Sequence, residues 1–160
     1  MLESNKKDEQ QYKLIIFDWE GTLAKADGCL FNGVKEAIAL LVENNFKCAI
    51  ATSMSLGRLN DLLDETEMQD YFTYLQTADS GTTKPDPEML TEILDYTLDS
   101  AATALMVGDS VYDLSMATKA NIDVIGVLTG ADTGERLALA MPKAILTSVT
   151  DLPAYLKITI

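Results

Sequence analysis

Carboxylate, hydroxyl and lysine side chains stand directly after several short apolar runs of this sequence. In chain order they are Asp18, Glu20, Thr52, Ser53, Lys84, Asp109, Ser110 and Asp113, and Gly108 immediately precedes Asp109. Carboxylates are ligands that a hard divalent cation such as Mg2+ prefers, and lysine and hydroxyl groups at helix N-termini bind phosphoryl groups. The sequence contains no histidine, which excludes Ser-His-Asp and Cys-His catalysis and His-ligated zinc. The residue types that remain suit metal-assisted phosphoryl transfer.

A carboxylate is the strongest nucleophile in such a set, and Asp18 is the best placed to act as one. Its attack on a phosphomonoester would form an aspartyl-phosphate and divide a difficult hydrolysis into two easier steps. Mg2+ would reduce the repulsion between carboxylate and phosphate, while Lys84 and Thr52 would stabilise the charge on the transferring oxygens. Because alternate residues of an extended chain point the same way, Glu20 is predicted to face Asp18 and serve as general acid and base. Trp19, between them, is predicted to point into the core.

The elements that must position these residues alternate between short continuous apolar runs and segments with helical periodicity. The predicted strands are Leu14–Phe17, Cys48–Ala51, Leu105–Val107, Val124–Leu128 and Ala144–Leu146, with Tyr74–Gln76 as a weaker candidate. Predicted helix faces are Val34, Ile38, Leu41 and Val42, then Leu59, Leu62 and Leu63, then Met89, Leu90, Ile93 and Leu94. Pro87 stands where the first turn of the third of these helices would begin. Continuous apolar strands are typical of a parallel sheet buried on both faces. The pattern predicts a doubly wound α/β fold with its site at the carboxyl ends of the strands.

Length, charge and cysteine content limit the class of protein further. From 160 residues, 48% of them hydrophobic, we expect a disordered tail over residues 1–11 and a single domain over residues 12–160. A net charge of -13 argues against nucleic acid and anionic membranes as partners. No secretory signal or membrane span is evident, so we expect a soluble, cytoplasmic protein. Cys29 and Cys48 have neither metal-motif nor disulfide-framework spacing.

Four stretches of the chain, FDWEGTL, AIATS, KPDP and GDSVYDL, resemble the four ordered motifs of the haloacid dehalogenase superfamily. The resemblance runs from about Lys13 to Thr129, and Asp151-Leu152-Pro153 is similar to the end of phosphoglycolate-phosphatase-like members. It implies a three-layer Rossmann-like parallel sheet, a flap over Ala24–Asn32 and a Mg2+-dependent phosphatase. The roles it implies are Asp18 as nucleophile and Mg2+ ligand, the Glu20 carbonyl and Asp109 as further Mg2+ ligands, Thr52 and Lys84 as phosphoryl ligands, and Asp113 as a group that orients Lys84 or metal-bound water.

Two departures from the family pattern leave alternatives open. Phosphatases of the family usually carry Asp where this chain has Glu20, so a catalytically weak phosphate-binding or interaction module is a second hypothesis. A dehalogenase is a third, which fits less well because it would not require Asp109 and Asp113.

Only 33 residues separate Asp18 from Thr52 and 31 separate Thr52 from Lys84, which leaves no room for a cap domain and predicts the capless type. Its substrate is expected to be a phosphorylated small molecule or macromolecule, and a homo-oligomer remains open.

Overall fold

The protein is described by a computed structural model over residues 11–158. Six parallel strands form one sheet in the order β3-β2-β1-β4-β5-β6. The strands are β1 (Leu14–Phe17), β2 (Lys47–Ala51), β3 (Phe72–Gln76), β4 (Ala104–Gly108), β5 (Asp123–Val127) and β6 (Ala144–Leu146). The helices are α1 (Val34–Glu43), α2 (Leu56–Thr66), α3 (Glu88–Thr97), α4 (Val111–Lys119), α5 (Gly134–Ala138) and α6 (Leu152–Tyr155).

The central strand β1 is apolar throughout because both faces of the sheet are covered. Ile15 and Phe17 enter one hydrophobic core, whereas Leu14 and Ile16 enter the other. Successive side chains of a strand point to opposite faces, so four consecutive apolar residues supply both cores. The backbone of β1 lies between β2 and β4, with Phe17 beside Ile50 and Val107.

The helices divide between the two faces of the sheet. Apolar residues of α1, α2 and α6 pack into the core that contains Phe17, and those of α3, α4 and α5 pack into the core that contains Ile16. The chain therefore winds outward from β1 to β3 with helices on one face, then returns to β4 and continues with helices on the other. The carboxyl ends of β1 and β4 lie at the point where the winding changes direction, where doubly wound folds bind ligands.

The predicted three-layer, Rossmann-like α/β fold is confirmed. The predicted strands Leu14–Phe17 and Ala144–Leu146 have the observed bounds, and the weaker candidate Tyr74–Gln76 is the end of β3. Pro87 is the N-cap of α3 and so lies where the first turn of this helix begins, as predicted. The predicted tail falls on residues outside the described range except for Gln11.

The predicted helix faces are buried, with Val42 and Leu94 partly so. Among residues 11–158, every helix is too short or too polar to cross a lipid bilayer.

Candidate active site

One pocket of about 960 Å³ opens at the carboxyl ends of the strands. Eight of the nine predicted residues line it, namely Asp18, Glu20, Thr52, Ser53, Lys84, Asp109, Ser110 and Asp113. Asp18 follows β1, Thr52 follows β2, Asp109 follows β4, and Lys84 lies in the connection from β3 to α3. Residues that are far apart in the chain therefore meet because the parallel sheet gathers its carboxyl ends at one edge.

Lys84 joins two buried carboxylates. Its Nζ lies 2.6 Å from Asp18 Oδ1 and 2.7 Å from Asp113 Oδ1. Burial lowers the pKa of the Lys84 ammonium, but the Asp113 and Asp18 carboxylates more than offset this effect and raise it. The lysine is therefore held in its charged form between two anions, in the geometry expected of a group that binds transferring oxygens.

The pKa of Asp18 is raised mainly by burial, whereas burial lowers the pKa of Lys84. Its burial raises the pKa of the carboxyl well above its ordinary range, and the nearby Asp113 carboxylate raises it further. The Lys84 ammonium lowers it, and a side-chain hydrogen bond shared with Asp109 raises it again. Additional positive charge near the Asp18 carboxylate would therefore favour its deprotonated form.

Asp109 is fixed from two sides by hydrogen bonds. The Thr22 hydroxyl donates to Oδ1 at 3.1 Å, and the Ala131 backbone N–H donates to Oδ2 at 2.8 Å. Gly21 and Gly130 lie against the same carboxylate, since a Cβ on Gly21 would be 2.7 Å from Asp109 Cγ and one on Gly130 would be 2.5 Å from it. The site excludes larger side chains at both positions because the carboxylate occupies the space.

Gly108 and Ser110 hold Asp113 at the start of α4. Ser110 is the N-cap of this helix, and its hydroxyl accepts the Asp113 N–H at 3.3 Å while donating to Asp113 Oδ2 at 3.1 Å. A Cβ on Gly108 would lie 2.5 Å from Asp113 Cβ, so only glycine leaves room for this side chain. With Oδ1 on Lys84 and Oδ2 on Ser110, Asp113 has both oxygens engaged.

Thr52 and Ser53 follow β2 with different exposure. Thr52 is buried, its N–H donates to the Gln76 carbonyl at 2.9 Å, and its hydroxyl accepts the Met54 N–H at 3.1 Å. Ser53 is exposed on the pocket wall. The Thr52 hydroxyl is thus already oriented by the backbone, whereas Ser53 has a side chain open to solvent.

Glu20 and Trp19, which closely follow β1, have opposite exposure. Glu20 is exposed and lines the pocket, while Trp19 is fully buried. The Trp19 carbonyl accepts backbone N–H groups of Thr22, Leu23 and Ala24 at 2.9 to 3.2 Å, which forms a tight turn directly after Asp18. Glu20 lies in this turn and borders the same pocket as Asp18.

The side chains present fit a divalent cation. Asp18, Asp109 and Asp113 each offer a carboxylate oxygen, and these oxygens lie within 4.8 Å of one another. All three residues are buried, and Lys84 is the one lysine that pairs with any of them among residues 11–158. Buried carboxylates in excess of their counter-ions are costly, and a hard cation with oxygen ligands would balance them.

Several pocket residues were not predicted from the sequence. Thr129 donates its hydroxyl to the Gly21 carbonyl at 2.6 Å, and Ala131 binds Asp109 through its backbone. Thr129 directly follows the predicted strand Val124–Leu128, so a hydroxyl at a strand end is the signal that the sequence offers for it. Lys25 and Tyr112 also line the pocket; Tyr112 lies within GDSVYDL, whereas Lys25 lies in no motif.

A protein-family model and curated relatives match this chain. The model described as "Haloacid dehalogenase-like hydrolase" matches residues 1–127. The chain is 35% identical over 144 residues to "Probable phosphatase IndB" of Dickeya dadantii, covering 89% of this chain and 62% of that protein. It is 28% identical to a phosphoglycolate phosphatase of Photobacterium profundum, covering 81% of this chain and 57% of that protein. The chain thus spans about three fifths of the length of these two relatives.

Solved structures show the same fold. A haloacid dehalogenase-like family hydrolase from Streptococcus pneumoniae superposes with a TM-score of 0.78 at 14% identity, covering 92% of this chain and 99% of the other. At this identity the likeness concerns the fold alone, whereas the family model extends over most of the sequence, including the segments that carry Asp18, Thr52, Lys84 and Asp109. This chain belongs to the haloacid dehalogenase-like hydrolase family.

Proposed function

We propose that the chain is a Mg2+-dependent phosphomonoester hydrolase that forms an aspartyl-phosphate on Asp18. The observation that carries the proposal is the arrangement of Asp18, Lys84 and Asp113, in which one ammonium holds a nucleophile carboxylate and its neighbour within 2.7 Å. The names of the relatives, a phosphatase and a phosphoglycolate phosphatase, support the same class of reaction. Mg2+ would be held by Asp18, Asp109 and the backbone carbonyl of Glu20, and it would supply positive charge next to the carboxylate and the phosphoryl oxygens.

In the first step, a carboxylate oxygen of Asp18 attacks phosphorus and the bond from phosphorus to the leaving oxygen breaks. Glu20, in its protonated form, transfers a proton to that oxygen, so an alcohol departs. Lys84 and the Thr52 hydroxyl, with Ser53 at the pocket wall, stabilise the charge on the three remaining phosphoryl oxygens. The products of this step are the aspartyl-phosphate and the free alcohol.

In the second step, Glu20 accepts a proton from water as the water oxygen attacks phosphorus. The bond from phosphorus to the Asp18 oxygen breaks, which releases inorganic phosphate and restores the carboxylate. Glu20 is thereby protonated again and ready for the next cycle. Asp113 acts as a positioning residue because its contact with Lys84 fixes the ammonium on which both steps depend.

The proposal is tested by turnover of a generic aryl phosphate with and without Mg2+. Asp18→Asn is expected to abolish turnover. Mass spectrometry after acid quenching should find a phosphoryl group on the peptide that contains Asp18 in the native chain and none on the corresponding peptide of the variant. Glu20→Gln should reduce turnover by about 10²- to 10⁴-fold, the usual contribution of a general acid and base. Asp95→Asn, which removes the same charge from an exposed position on α3, should leave turnover unchanged.

Two results would contradict the mechanism. Turnover that persists in Asp18→Asn would show that Asp18 is not the nucleophile. Turnover in the wild-type chain that is unaffected by chelation would show that no metal is needed. Glu20→Asp restores the usual family residue, and a large rise in rate would show that the longer side chain places the proton donor poorly.

A further inference from the structure

The pocket is larger than a phosphoryl group needs. A volume of about 960 Å³ is near the upper end for small-molecule sites, and part of its wall comes from residues outside the four motifs. These residues are Lys25, Ala26 and Phe31 from the segment Ala24–Asn32, and Met54 after β2. A leaving group that extends beyond the phosphoryl group would have these residues in the same pocket.

Lys25 is the one positively charged residue among these four. The other pocket lysine, Lys84, is paired with Asp18 and Asp113, whereas Lys25 has no carboxylate within salt-bridge distance in the part of the chain that the structure describes. Asp27 is near enough for the Lys25 charge to help lower the pKa of its carboxyl, but the Cys29 N–H, which donates to Asp27 Oδ1 at 2.9 Å, lowers this pKa more. The Lys25 ammonium therefore remains available to an incoming anion.

The backbone of the flap fixes the position from which Lys25 extends. Its N–H donates to the Cys29 carbonyl at 2.8 Å, and its carbonyl accepts the Gly28 N–H at 2.9 Å. Gly28 has φ of 91° and lies against Leu62 of α2, where a Cβ would be 2.7 Å from Leu62 Cδ2. The turn is thus closed by hydrogen bonds and packed on a helix, so the lysine extends from a supported base.

We propose that Lys25 binds a second anionic group, carried by the leaving group of the substrate. This inference rests on the proposed function, since it assigns the part of the pocket beyond the phosphoryl site. The chain has a net charge of -13, which repels anions at long range, so selection of an anionic leaving group requires a local cation. The substrate class is a small phosphomonoester whose alcohol carries a carboxylate or a second phosphate.

The test compares matched esters that differ in this group alone. Phospholactate is paired with phospholactamide, and ethylene glycol bisphosphate is paired with ethylene glycol monophosphate. Affinities are measured by calorimetry with Mg2+ in an Asp18→Asn background, so that binding is read without turnover, and kcat/KM is measured in the native background. The variants are Lys25→Met and Lys25→Arg, with Lys143→Met as a control for the loss of one charge. Lys143 is exposed and directly precedes β6, so it lies at the amino ends of the strands, away from the pocket at their carboxyl ends.

Lys25→Met is expected to weaken binding of the anionic member of a pair by about 10-fold, which corresponds to roughly 1.4 kcal/mol, and to change the neutral member by less than about 2-fold. Lys25→Arg should retain the preference, and Lys143→Met should have no effect on either member. The pair that responds, carboxylate or phosphate, identifies the source of the second charge.

Equal losses on both members of each pair, no loss on any anionic member, or absence of binding by all four esters would overturn the inference. Failure of the proposed function has a different signature, namely no turnover of any ester by the native chain while the selectivity that depends on Lys25 persists in the binding measurement.

Discussion

Gly130→Ala tests whether the close packing around Asp109 fixes the position of this carboxylate in the proposed Mg2+ site. A Cβ at this position would lie 2.5 Å from Asp109 Cγ and 2.6 Å from Asp109 Cβ. Ordinary contact begins at 3.4 Å, so the two groups must separate by roughly 0.9 Å, the difference between 3.4 and 2.5 Å. Rotation of the Asp109 carboxylate alone gives no relief because its Cβ is also too close. The φ of Gly130 lies outside the left-handed region, so the change is steric and adds no backbone strain.

The expected loss follows from this displacement. A shift of about 1 Å in a catalytic group costs up to about 100-fold in rate, and changes to the residues that orient a metal ligand typically cost about 10- to 100-fold in affinity or activity. We therefore expect kcat/KM to fall by about 10- to 100-fold and half-saturation by Mg2+ to require about 10-fold more metal. Overpacking should also lower the free energy of unfolding by about 1–3 kcal/mol.

The assay measures hydrolysis of an aryl phosphate across a Mg2+ titration, with Mg2+ binding by calorimetry and unfolding by urea. Gly134→Ala is the matched control, because a Cβ there would be 3.5 Å from Leu128 Cδ2, an ordinary contact at the first residue of α5. It should leave turnover and Mg2+ affinity unchanged. Native Mg2+ affinity and activity in Gly130→Ala would show that the loop moves away and that this packing does not constrain Asp109.

Three further predictions concern residues outside the pocket motifs. Ellman's reagent should modify one thiol in the native chain and two after denaturation, because Cys29 is exposed while burial raises the pKa of Cys48 to about 12; rapid reaction of both thiols before unfolding would contradict this. Gly57→Ala should raise the free energy of unfolding by about 0.5–1 kcal/mol in a urea titration, since Gly57 lies in α2 and a Cβ would meet nothing within 4 Å; a decrease would refute it. Burial and the 2.7 Å hydrogen bond to Asp123 raise the pKa of Tyr12. The free energy of unfolding of the native chain should therefore fall as pH rises above the ordinary tyrosine pKa of about 10, and that of Tyr12→Phe should fall less over the same pH range. A parallel pH dependence of the two free energies would exclude this linkage.

The fold was predictable from the sequence because the central strands are buried on both faces. Leu14–Phe17 has the predicted bounds, since every position of β1 packs into a core. The edge strand β3 was the weakest prediction because most of its residues are only partly buried and its sequence, FTYLQ, lacks a continuous apolar character. The other edge strand, β6, is also only partly buried, but its three residues are all apolar and it has the predicted bounds. An unbroken apolar run, more than burial itself, thus identified the strands.

The candidate site was predictable where its chemistry resides in side chains at strand ends. Asp18, Thr52 and Asp109 follow buried strands, and the sheet brings them together as expected. The support of Asp109 by Ala131 was not predictable, because the donor is a backbone N–H that any residue type supplies. The position of Lys25 depends on how the flap folds back, which local composition does not determine. The catalytic roles themselves remain predictions.

The edge position of β3 means that the site draws its lysine and its carboxylates from different parts of the sheet. Asp18 and Asp109 follow β1 and β4, strands that are each flanked by neighbours on both sides. Lys84 is carried by the connection after β3, which has a single neighbouring strand and a register shift against it between Cys48 and Ala49. Lys84 nonetheless reaches both Asp18 and Asp113. Its ammonium is thus the link between an edge of the sheet and the carboxylates that its central elements carry.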